Sequence, residues 1–440
     1  MSESPYKNLL AATDSEMMRP LFEKKLEHIF AEPVKTLSFY VTRVFPRQGD
    51  EFAVQYELNL ARALKDLGRR LILWGVLSRS SQTIAEYASN WKERGFFIEE
   101  IGLAVPVFPF DPKLKHLPEY FAGGEKMENR LKALPAFKDR EFDIEECRVL
   151  GYRLERRCVL CYTLKMKESR GPERIRVIVK IGRPGHLAGS FETAKRLEAL
   201  GFAAGSPDGL TVPRFYGGDN DSGLIFMEMA PGESLHSLVE NSAFPDDCYR
   251  AGKMARKLHS ISLEHIGSYK VSDELNNLKE RIEPACGIFP DLRKAFFTAI
   301  DKLAENKPDD NYPASFVHRD FYDKQVLFSA DRVTLIDCDN AAVSDPALDF
   351  GNFTAHLSLR RLQNPGLGPS ILDGMDKFRA GYGSTDNYFK NRAGWWRQAA
   401  LLRLAALYAL RPRWRKIIPD MLREINHTLK QNKILSGEKL

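Results

Sequence analysis

The sequence is poor in cysteine, in charge asymmetry and in long apolar runs. Six cysteines in 440 residues are too few and too scattered for a disulfide framework. The formal net charge is only +6, from 65 basic and 59 acidic residues, and no polybasic segment predicts a nucleic-acid or membrane partner. The longest apolar region, 399–410, is interrupted by Arg403 and is too short to span a bilayer.

Signals for secretion and for cysteine chemistry are also missing. The N-terminal Met-Ser-Glu-Ser-Pro has no basic segment followed by an apolar stretch, so we expect a cytoplasmic protein. Cys158 and Cys161 form a C-x-x-C, but on the strand predicted there a spacing of three puts the side chains on opposite faces. This spacing disfavours a metal or redox site.

The C-terminal third instead contains a predicted hairpin with polar residues at its open end. The β-favouring runs 326–328 and 333–336 are separated by turn-forming residues 329–332, which predicts two antiparallel strands. Gln325 precedes the first strand and Asp337 follows the second, so pairing brings both to one end. An amide oxygen and a carboxylate placed in this way can hold Mg²⁺.

His318-Arg319-Asp320 lies immediately upstream of this hairpin. The protein-kinase catalytic loop has the order H-R-D-x-x-x-x-N, in which the Asp takes the acceptor proton and the Asn holds a metal. Gln325 stands in the place of that Asn. We therefore interpret the segment as a phosphoryl-transfer centre in which Asp320 is the catalytic residue and faces a substrate hydroxyl.

The residues that follow favour a small-molecule kinase. Leu335–Asp339 and Ser344–Phe350 resemble the aminoglycoside phosphotransferase and choline kinase superfamily, and no D-F-G to A-P-E segment of a protein kinase is present. Gln325 before a Val-Leu strand also resembles maltokinase-type sugar kinases. The resemblance covers roughly residues 140 to 430. It implies an α+β, two-lobed protein-kinase-like fold with a β-rich N-lobe and a helical C-lobe.

The same resemblance implies an activity, cofactors and an acceptor class. The activity is an ATP-dependent phosphotransferase that uses Mg²⁺, held by Gln325 and Asp337, to phosphorylate a small-molecule hydroxyl. A sugar acceptor is favoured, and an aminoglycoside or amino-alcohol kinase is the alternative. An alternative of another class, a catalytically inactive nucleotide-binding module, also stays open because Gln replaces Asn.

Supporting roles at the centre are assigned to residues on both sides of the hairpin. Asp345 and Asp349 lie where a helix is predicted to begin, and we expect them to order the catalytic loop by accepting hydrogen bonds from its backbone or from Arg319. Substrate contact is the second interpretation for this pair. The supporting set is His318, Arg319, Asp339, Asp345 and Asp349.

The segments upstream resemble the N-lobe of a kinase. Residues 148–162 predict two strands around a turn, and 174–181 predict a third strand that carries Lys180, the candidate ligand of the α and β phosphates. An apolar helical stripe follows. Glu192 on that helix is the candidate ion-pair partner of Lys180 at the nucleotide site, and Glu198 stays possible.

A buried-type strand at 224–228 runs into a Pro-Gly turn and resembles the hinge that receives adenine. Backbone groups of Glu228, Met229 and Ala230 are the predicted partners of the base. The usual G-x-G-x-x-G is absent from the turn at 151–157. Whether Arg156 or Arg157 contacts phosphate there, or simply occupies an exposed turn, is left open.

The N-terminal residues contain what we interpret as an internal duplication of the three-stranded unit. The segments concerned are 43–60 and 69–76 in the first copy and 148–166 and 174–181 in the second. The first copy has Trp74 or Gly75 where the second has Lys180, so it cannot supply the phosphate-binding lysine. The predicted domains are an extension or cap at 1–112, an N-lobe at 113–230 and a helical C-lobe at 231–440.

Overall fold

The computed structural model describes residues 6–47, 51–64, 67–78, 80–91, 94–121, 123–167, 173–261 and 266–425. The chain forms an N-terminal module, a β-rich lobe and a helical lobe in that order. The predicted α+β, two-lobed class is confirmed, with the module added in front.

The N-terminal module is a five-stranded antiparallel sheet covered by helices. Its elements are α1 (Lys7–Ala12), α2 (Ser15–Phe30), β1 (Thr36–Pro46), β2 (Phe52–Leu64), β3 (Gly68–Leu77), α3 (Ser81–Trp91), β4 (Gly95–Ile98) and β5 (Leu103–Pro106). The strand order is β1-β2-β3-β5-β4. Phe22 of α2 packs on the sheet, with ring centroids 5.2 Å from Phe39 and 4.5 Å from Tyr56. This aromatic cluster gives the module a core of its own.

The second sheet has the same topology as the first. Its elements are α4 (Leu117–Phe121), α5 (Glu125–Lys132), β6 (Phe142–Arg153), β7 (Arg157–Met166), β8 (Arg174–Gly182), α6 (Ala188–Leu197), β9 (Leu210–Thr211), β10 (Phe215–Asp219) and β11 (Leu224–Glu228). The strand order is β6-β7-β8-β11-β10, and α6 follows the third strand as α3 does in the module. The shared order supports the predicted duplication, and superposition of the two sheets would test it.

The helical lobe carries the predicted hairpin between its helices. Its elements are β12 (Glu233–Ser234), α7 (Phe244–His259), α8 (Val271–Ile288), α9 (Arg293–Glu305), β13 (Ser315–Val317), β14 (Val326–Phe328), β15 (Val333–Leu335), β16 (Ala342–Ser344), α10 (Ala347–Gln363), α11 (Gly368–Tyr382) and α12 (Asn387–Ala409). Small sheets form in the orders β12-β14-β15-β9 and β13-β16. Trp395 and Trp396 of α12 are both buried, because α12 is enclosed on most sides.

A buried carboxylate joins the module to the second sheet. Asp111, in the linker, accepts hydrogen bonds from the Tyr152 hydroxyl (2.8 Å) and from the backbone N–H of Glu155 (2.7 Å). The carbonyl of Tyr152 in turn accepts from Trp74 Nε1 (2.8 Å) and Gln55 Nε2 (3.0 Å), both in the module. The module and its linker therefore fix the end of the β6–β7 hairpin.

The cysteines and the helices bear on disulfide bonding and on membrane insertion. All six cysteines are unpaired, including Cys158 and Cys161 on β7. Among the described ranges, no helix has the length and apolarity that crossing a bilayer requires.

One buried histidine in the helical lobe should make stability sensitive to mild acid. His356 of α10 stacks on Tyr322 with ring centroids 4.3 Å apart. Burial, followed by the charge of Arg360 despite the opposing charge of Asp323, lowers its pKa from 6.5 to about 3. As the pH falls below about 6.5, His356 is protonated in the unfolded chain but stays neutral in the folded protein, and this difference favours unfolding.

We expect protonation of His356 in the unfolded chain to lower the free energy of unfolding by about 2 kcal/mol between pH 7 and pH 5, since one proton changes it by about 1.4 kcal/mol per pH unit. The substitution His356→Asn should remove that loss. Urea unfolding of both proteins at the two pH values measures it, because carboxylates that titrate in the same range are common to both. Equal losses in the two proteins would contradict the assignment.

Candidate active site

The predicted hairpin is confirmed, and it brings polar residues to one end. β14 pairs antiparallel with β15, with Val326 opposite Leu335. The ladder continues with a hydrogen bond of 2.9 Å from the backbone N–H of Ile336 to the carbonyl of Gln325. Gln325 and Asp337 therefore line the same cavity. The agreement arises because strand pairing over so short a turn is determined locally.

Asp320 is half-buried near this end of the hairpin. Its Oδ2 lies 3.5 Å from Nε2 of Gln325. Burial is the main reason that the pKa of Asp320 is raised, and the nearby Asp337 raises it further, while His318 and Arg403 oppose the shift. The residue is thus a carboxyl group held in a partly desolvated position, which suits a group that accepts a proton during a reaction.

The loop before Asp320 is held in an unusual backbone conformation. Arg319 has φ of 64° and Asp337, in the facing loop, has φ of 62°. Non-glycine residues occupy this region rarely, and usually where surrounding contacts impose it. Here the Asp349 carboxylate accepts from the backbone N–H groups of His318 (2.6 Å) and Arg319 (2.8 Å). Asp349 therefore orders the loop through its backbone, as the sequence predicted.

His318 joins the two loops. Its Nε2 lies 2.9 Å from the carbonyl of Ile336, and its Nδ1 lies 3.2 Å from the backbone N of Asp320. Burial lowers the pKa of His318, but Cys338, Asp349 and the carbonyl of Ile336 outweigh burial and raise it to about 10, so Nε2–H donates to that carbonyl. The ring so fixes the position of Asp320 relative to the strand that leads to Asp337.

Asp345 and the Arg319 side chain do not have the contacts that were predicted for them. Asp345 caps α10 by accepting from Ala347 N (2.9 Å), and it pairs with Arg392 at 2.8 Å, so it joins helices rather than the loop. The Arg319 guanidinium lies over the Tyr269 ring at 3.7 Å. The prediction for Asp345 is corrected because the chain turns at Pro346 and directs only Asp349 back to the loop.

Removing the charge of Asp349 should weaken both stability and activity. The carboxylate accepts from two backbone N–H groups, one at each oxygen. In Asp349→Asn an NH₂ group replaces one of these oxygens, so one N–H loses its acceptor and we expect the free energy of unfolding to fall by about 1 to 3 kcal/mol. The melting temperature and kcat measure the effect. Asp376→Asn, which alters an exposed ion pair with Arg379, is the matched control and should change neither. A kcat equal to that of the unmodified protein would contradict a positioning role for Asp349.

Lys180 forms a pair of ion pairs across the cleft. Its Nζ lies 2.9 Å from Oδ1 of Asp337 and 2.8 Å from Oδ1 of Asp339. Burial lowers the pKa of Lys180, but the two carboxylates outweigh burial and raise it. Lys180 is therefore a protonated cation directly beside the candidate metal ligand.

The predicted partner of Lys180 is wrong. Glu192 is exposed and pairs with Arg196 on its own helix at 2.6 Å. Glu198 also lies elsewhere, accepting from the backbone N–H of Phe215 at 2.9 Å. The apolar stripe of α6 predicts the helix but does not show which carboxylate reaches Lys180. The acidic partners of Lys180 come from the 337–339 segment instead.

Arg157, which the sequence left undecided, belongs to the same cluster. Its Nη1 and Nη2 lie 3.1 Å from the two oxygens of Asp337, and Nη1 lies 2.5 Å from Oδ2 of Asp339. The β7–β8 register pairs Val159 with Lys180, so Arg157, two residues before Val159, shares the face of Lys180. This register is the signal that could have identified it.

The charge balance of the cluster determines the state of Asp337. Burial alone would raise the pKa of Asp337, but Lys180 and Arg157 outweigh it and hold that pKa far below its usual range. Asp337 is therefore an ionised carboxylate at neutral pH.

A cavity of about 520 Å³ extends from this cluster to the hinge. Its apolar walls come from both lobes and include Val159, Ile178, Met227, Leu327 and Leu335. At the hinge, the backbone N–H groups of Glu228 and Met229 donate to the carbonyls of Arg214 (2.8 Å) and Arg176 (3.1 Å). Within the described residues, the N–H of Ala230 donates to no backbone acceptor, so it is the hinge donor available to a ligand.

The donor set at the hairpin end suits a magnesium ion that is shared with phosphates. No group of three or more His, Cys, Asp and Glu side chains that could hold a metal occurs in the described part of the chain. Gln325 and Asp337 do offer an amide oxygen and a carboxylate oxygen. Mg²⁺ typically takes one or two protein carboxylates and completes its shell with water and substrate phosphates, so this oxygen set fits it.

Comparison with known proteins gives a family and a set of similar folds. A family model described as a phosphotransferase enzyme family matches residues 167–388. None of the curated proteins searched matches the chain significantly.

Solved structures with a similar fold include a choline/ethanolamine kinase family protein from Mesorhizobium loti, with 14% identity and a TM-score of 0.42 over 69% of this chain and 94% of that one. The choline kinase of Cryptosporidium parvum has 12% identity and a TM-score of 0.45, over 71% and 96%. An amicoumacin kinase has 14% identity and a TM-score of 0.46, over 70% and 95%. These scores are too low to indicate an acceptor.

Proposed function

Because the chain belongs to the phosphotransferase enzyme family, we propose that it transfers the γ-phosphoryl group of ATP to a hydroxyl of a small molecule. The observation that carries the proposal is one cluster at the hairpin end. There a half-buried carboxyl group, that of Asp320, lies 3.5 Å from Gln325, and two cations converge on Asp337.

In the proposed mechanism the base of the nucleotide occupies the apolar part of the 520 Å³ cavity, with the hinge groups of Glu228, Met229 and Ala230 along its edge. Lys180 and Arg157 attract the phosphates. Gln325 and Asp337 would hold Mg²⁺, which neutralises charge on the phosphates when it is bound. Asp339 helps to position both cations by pairing with them.

Asp320 acts on the acceptor side. The hydroxyl oxygen of the acceptor forms a bond to the γ-phosphorus as the bond between that phosphorus and the bridging oxygen of ADP breaks. ADP leaves with the electron pair, and the hydroxyl proton passes to the Asp320 carboxylate. Its raised pKa makes the carboxylate a better proton acceptor than an ordinary aspartate. Arg319 and His318 contribute by holding the loop.

A sugar-type hydroxyl is our favoured acceptor, on the Gln325 resemblance. An aminoglycoside or amino-alcohol acceptor is the alternative, and it would need carboxylates to meet its amines. Two carboxylates of the helical lobe are already engaged, since Glu424 pairs with Arg361 and Asp376 pairs with Arg379. The use of ATP and six unpaired cysteines favour the cytoplasm as the site of the activity.

A catalytically inactive nucleotide-binding module is the second candidate. Gln325 in the Asn position and the missing glycine-rich loop favour it. Calorimetric titration of ATP and GTP with and without Mg²⁺, followed by assay of ADP release with sugars, aminoglycosides and amino alcohols, separates the two. Acceptor-dependent ADP release supports the kinase, and tight Mg²⁺-dependent nucleotide binding with no release on any acceptor supports the module.

A further inference from the structure

A second cavity lies at the junction of three parts of the chain, and its volume is about 1000 Å³. Phe45 and Trp74 of the N-terminal module form one wall, the turn 153–156 between β6 and β7 forms another, and Asn277 and Arg281 of α8 form a third. A space of this size can hold a small molecule. The kinase-like motifs gave no indication of it, because it depends on the packing of the module.

The lining of this cavity has an excess of positive charge. The cations are Arg47, Lys113, Arg153, Arg156, Arg183 and Arg281, and the carboxylates are Glu51, Glu155 and Glu280. Glu155 is engaged by Arg47 (3.1 Å) and Lys113 (3.0 Å), and Glu51 is engaged by Arg47 (3.3 Å). Most of the negative charge in the lining is thus already neutralised.

Four arginines of the lining keep their charge available. Among the described residues, Arg153, Arg156, Arg183 and Arg281 have no ion pair with a carboxylate, and Arg183 donates to the carbonyl of Glu155 at 2.6 Å. The Arg153 guanidinium lies 4.4 Å from the centre of the Phe45 ring, which orients it without neutralising it. Arg281 donates to Asn277 at 2.7 Å, and Glu280 is the one carboxylate of the lining near it.

The arginines lie close enough together to repel one another. Burial is the main cause that lowers the pKa of Arg153 to about 9. The neighbouring cations that lower it further are Arg156, Arg157, Arg43 and Arg281. Arg153 and Arg281 are half-buried and Arg156 is exposed. Such a cluster of cations without matching carboxylates is unfavourable for folding, and a bound anion would relieve the repulsion.

The cationic wall reaches the candidate active site on two sides. Arg157, next to Arg153, makes the ion pairs with Asp337. On the other side, hydrogen bonds lead from Arg281 to Asn277 (2.7 Å), from Asn277 to the Tyr269 hydroxyl (3.5 Å) and from that hydroxyl to Glu274 (2.6 Å), which pairs with Arg403 at 2.6 Å. Arg403 also donates to Asn352 (2.7 Å), whose amide donates to the carbonyl of Phe321 (3.0 Å), the residue after Asp320. Contacts therefore link the second cavity to the Asp337 cluster on one side and to the loop that carries Asp320 on the other.

Resting on the phosphotransferase function above, we propose that the acceptor is a small anion that carries a phosphate or carboxylate group beside its hydroxyl, and that Arg153 and Arg281 bind this group in the second cavity. The planar guanidinium matches either group with two parallel hydrogen bonds. The anionic group is bound and does not react. The N-terminal module, which supplies Phe45 and Trp74, is then part of the acceptor site, and cationic acceptors are repelled.

Calorimetry on the full chain tests this directly, with the nucleotide site saturated by Mg²⁺ and a non-hydrolysable ATP analogue. The probes are a hexose, its 6-phosphate, its aldonic acid and its 2-amino derivative. We expect the 6-phosphate or the aldonic acid to bind at least about ten-fold more tightly than the hexose, with the amine weakest. The two anionic probes tell phosphate from carboxylate.

Variants locate the binding. Arg153→Gln and Arg281→Gln should each weaken binding of the anion by about ten-fold or more. Arg153→Lys should retain part of it. The control Arg70→Gln, an exposed arginine of the module paired with Glu57, should change nothing. Melting temperatures establish that each variant is folded.

Several outcomes overturn the inference: equal affinity for hexose and anions, no binding of either anion, or anion affinity unchanged in the folded Arg153 and Arg281 variants. Weaker nucleotide binding in Arg153→Gln, with no anion bound beside the analogue, would assign the arginines to the nucleotide and also overturn it. Anion binding without any ADP release would instead contradict only the proposed kinase function. Turnover of neutral or cationic acceptors in preference to anions would uphold the kinase and overturn the anionic acceptor.

Discussion

Asp320→Asn should fold and bind Mg²⁺–ATP as the unmodified protein does, yet lose acceptor-dependent ADP release by about 10²- to 10⁴-fold. This is the typical contribution of a positioned general base. The substitution keeps the size of the side chain and its contact with Gln325, but the amide cannot take the hydroxyl proton. The measurements are kcat with a reactive acceptor and the Kd for ATP by calorimetry.

Asp373→Asn is the control, because it changes a carboxylate of α11 that is outside the site. It should leave both quantities unchanged. Normal turnover in Asp320→Asn would remove Asp320 from the mechanism. A large loss of nucleotide affinity in that variant would assign Asp320 to the nucleotide rather than to the acceptor.

Asp337→Asn should have the second largest effect, through loss of Mg²⁺-dependent nucleotide binding. The carboxylate lies across the hairpin from Gln325 and between Lys180 and Arg157, so its removal deletes a metal ligand and unbalances two cations. We expect activity to fall by at least about 10²-fold, as for other charged groups that stabilise transferred phosphates. Binding of ATP without Mg²⁺ should be unaffected or stronger, because a negative charge near the phosphates is gone.

Asp339→Asn provides a close comparison, since Asp339 pairs with the same two cations. If Asp337 is the metal ligand, the Mg²⁺ dependence of ATP affinity should collapse in Asp337→Asn and persist in Asp339→Asn. Equal behaviour of the two variants would mean that the metal is shared between them or held elsewhere.

The hairpin of the candidate active site could be predicted from the sequence because its determinants are local. A short turn between two β-favouring runs decides which ends meet, so Gln325 and Asp337 follow once the strands are recognised. The same applies to Lys180, which lies on a continuous β-favouring strand. The role of Asp349 in ordering the loop was predicted because, in the implied fold, the start of its helix lies close to the catalytic loop.

The ionic partners could not be predicted in this way. The ion-pair partner of Lys180 depends on how the two lobes close. The spacing of residues on α6 therefore does not show whether Glu192 or the distant Asp337 is that partner. Arg157 was left open although the register of β7 against β8 contains the answer. Asp111 was missed altogether because a linker carboxylate has no local pattern.

The role of the N-terminal residues was also beyond local reasoning. The hairpin composition predicted a repeat, and the shared strand order extends the likeness to all five strands and one helix. Composition could not predict the contact between the module and the second sheet. Trp74 and Gln55 donate hydrogen bonds to the carbonyl of Tyr152, which precedes Arg153. Through this contact the module holds the backbone next to Arg153.

The most direct measurement follows the γ-phosphorus itself. ATP labelled in its γ-phosphate is incubated with the full chain, Mg²⁺ and an acceptor, and the products are separated. The account predicts that the label appears in a new phosphate monoester of the acceptor, at a rate that falls by about 10²-fold or more in Asp320→Asn. Label that remains in ATP, or that appears only as inorganic phosphate at equal rates in both proteins, would contradict it.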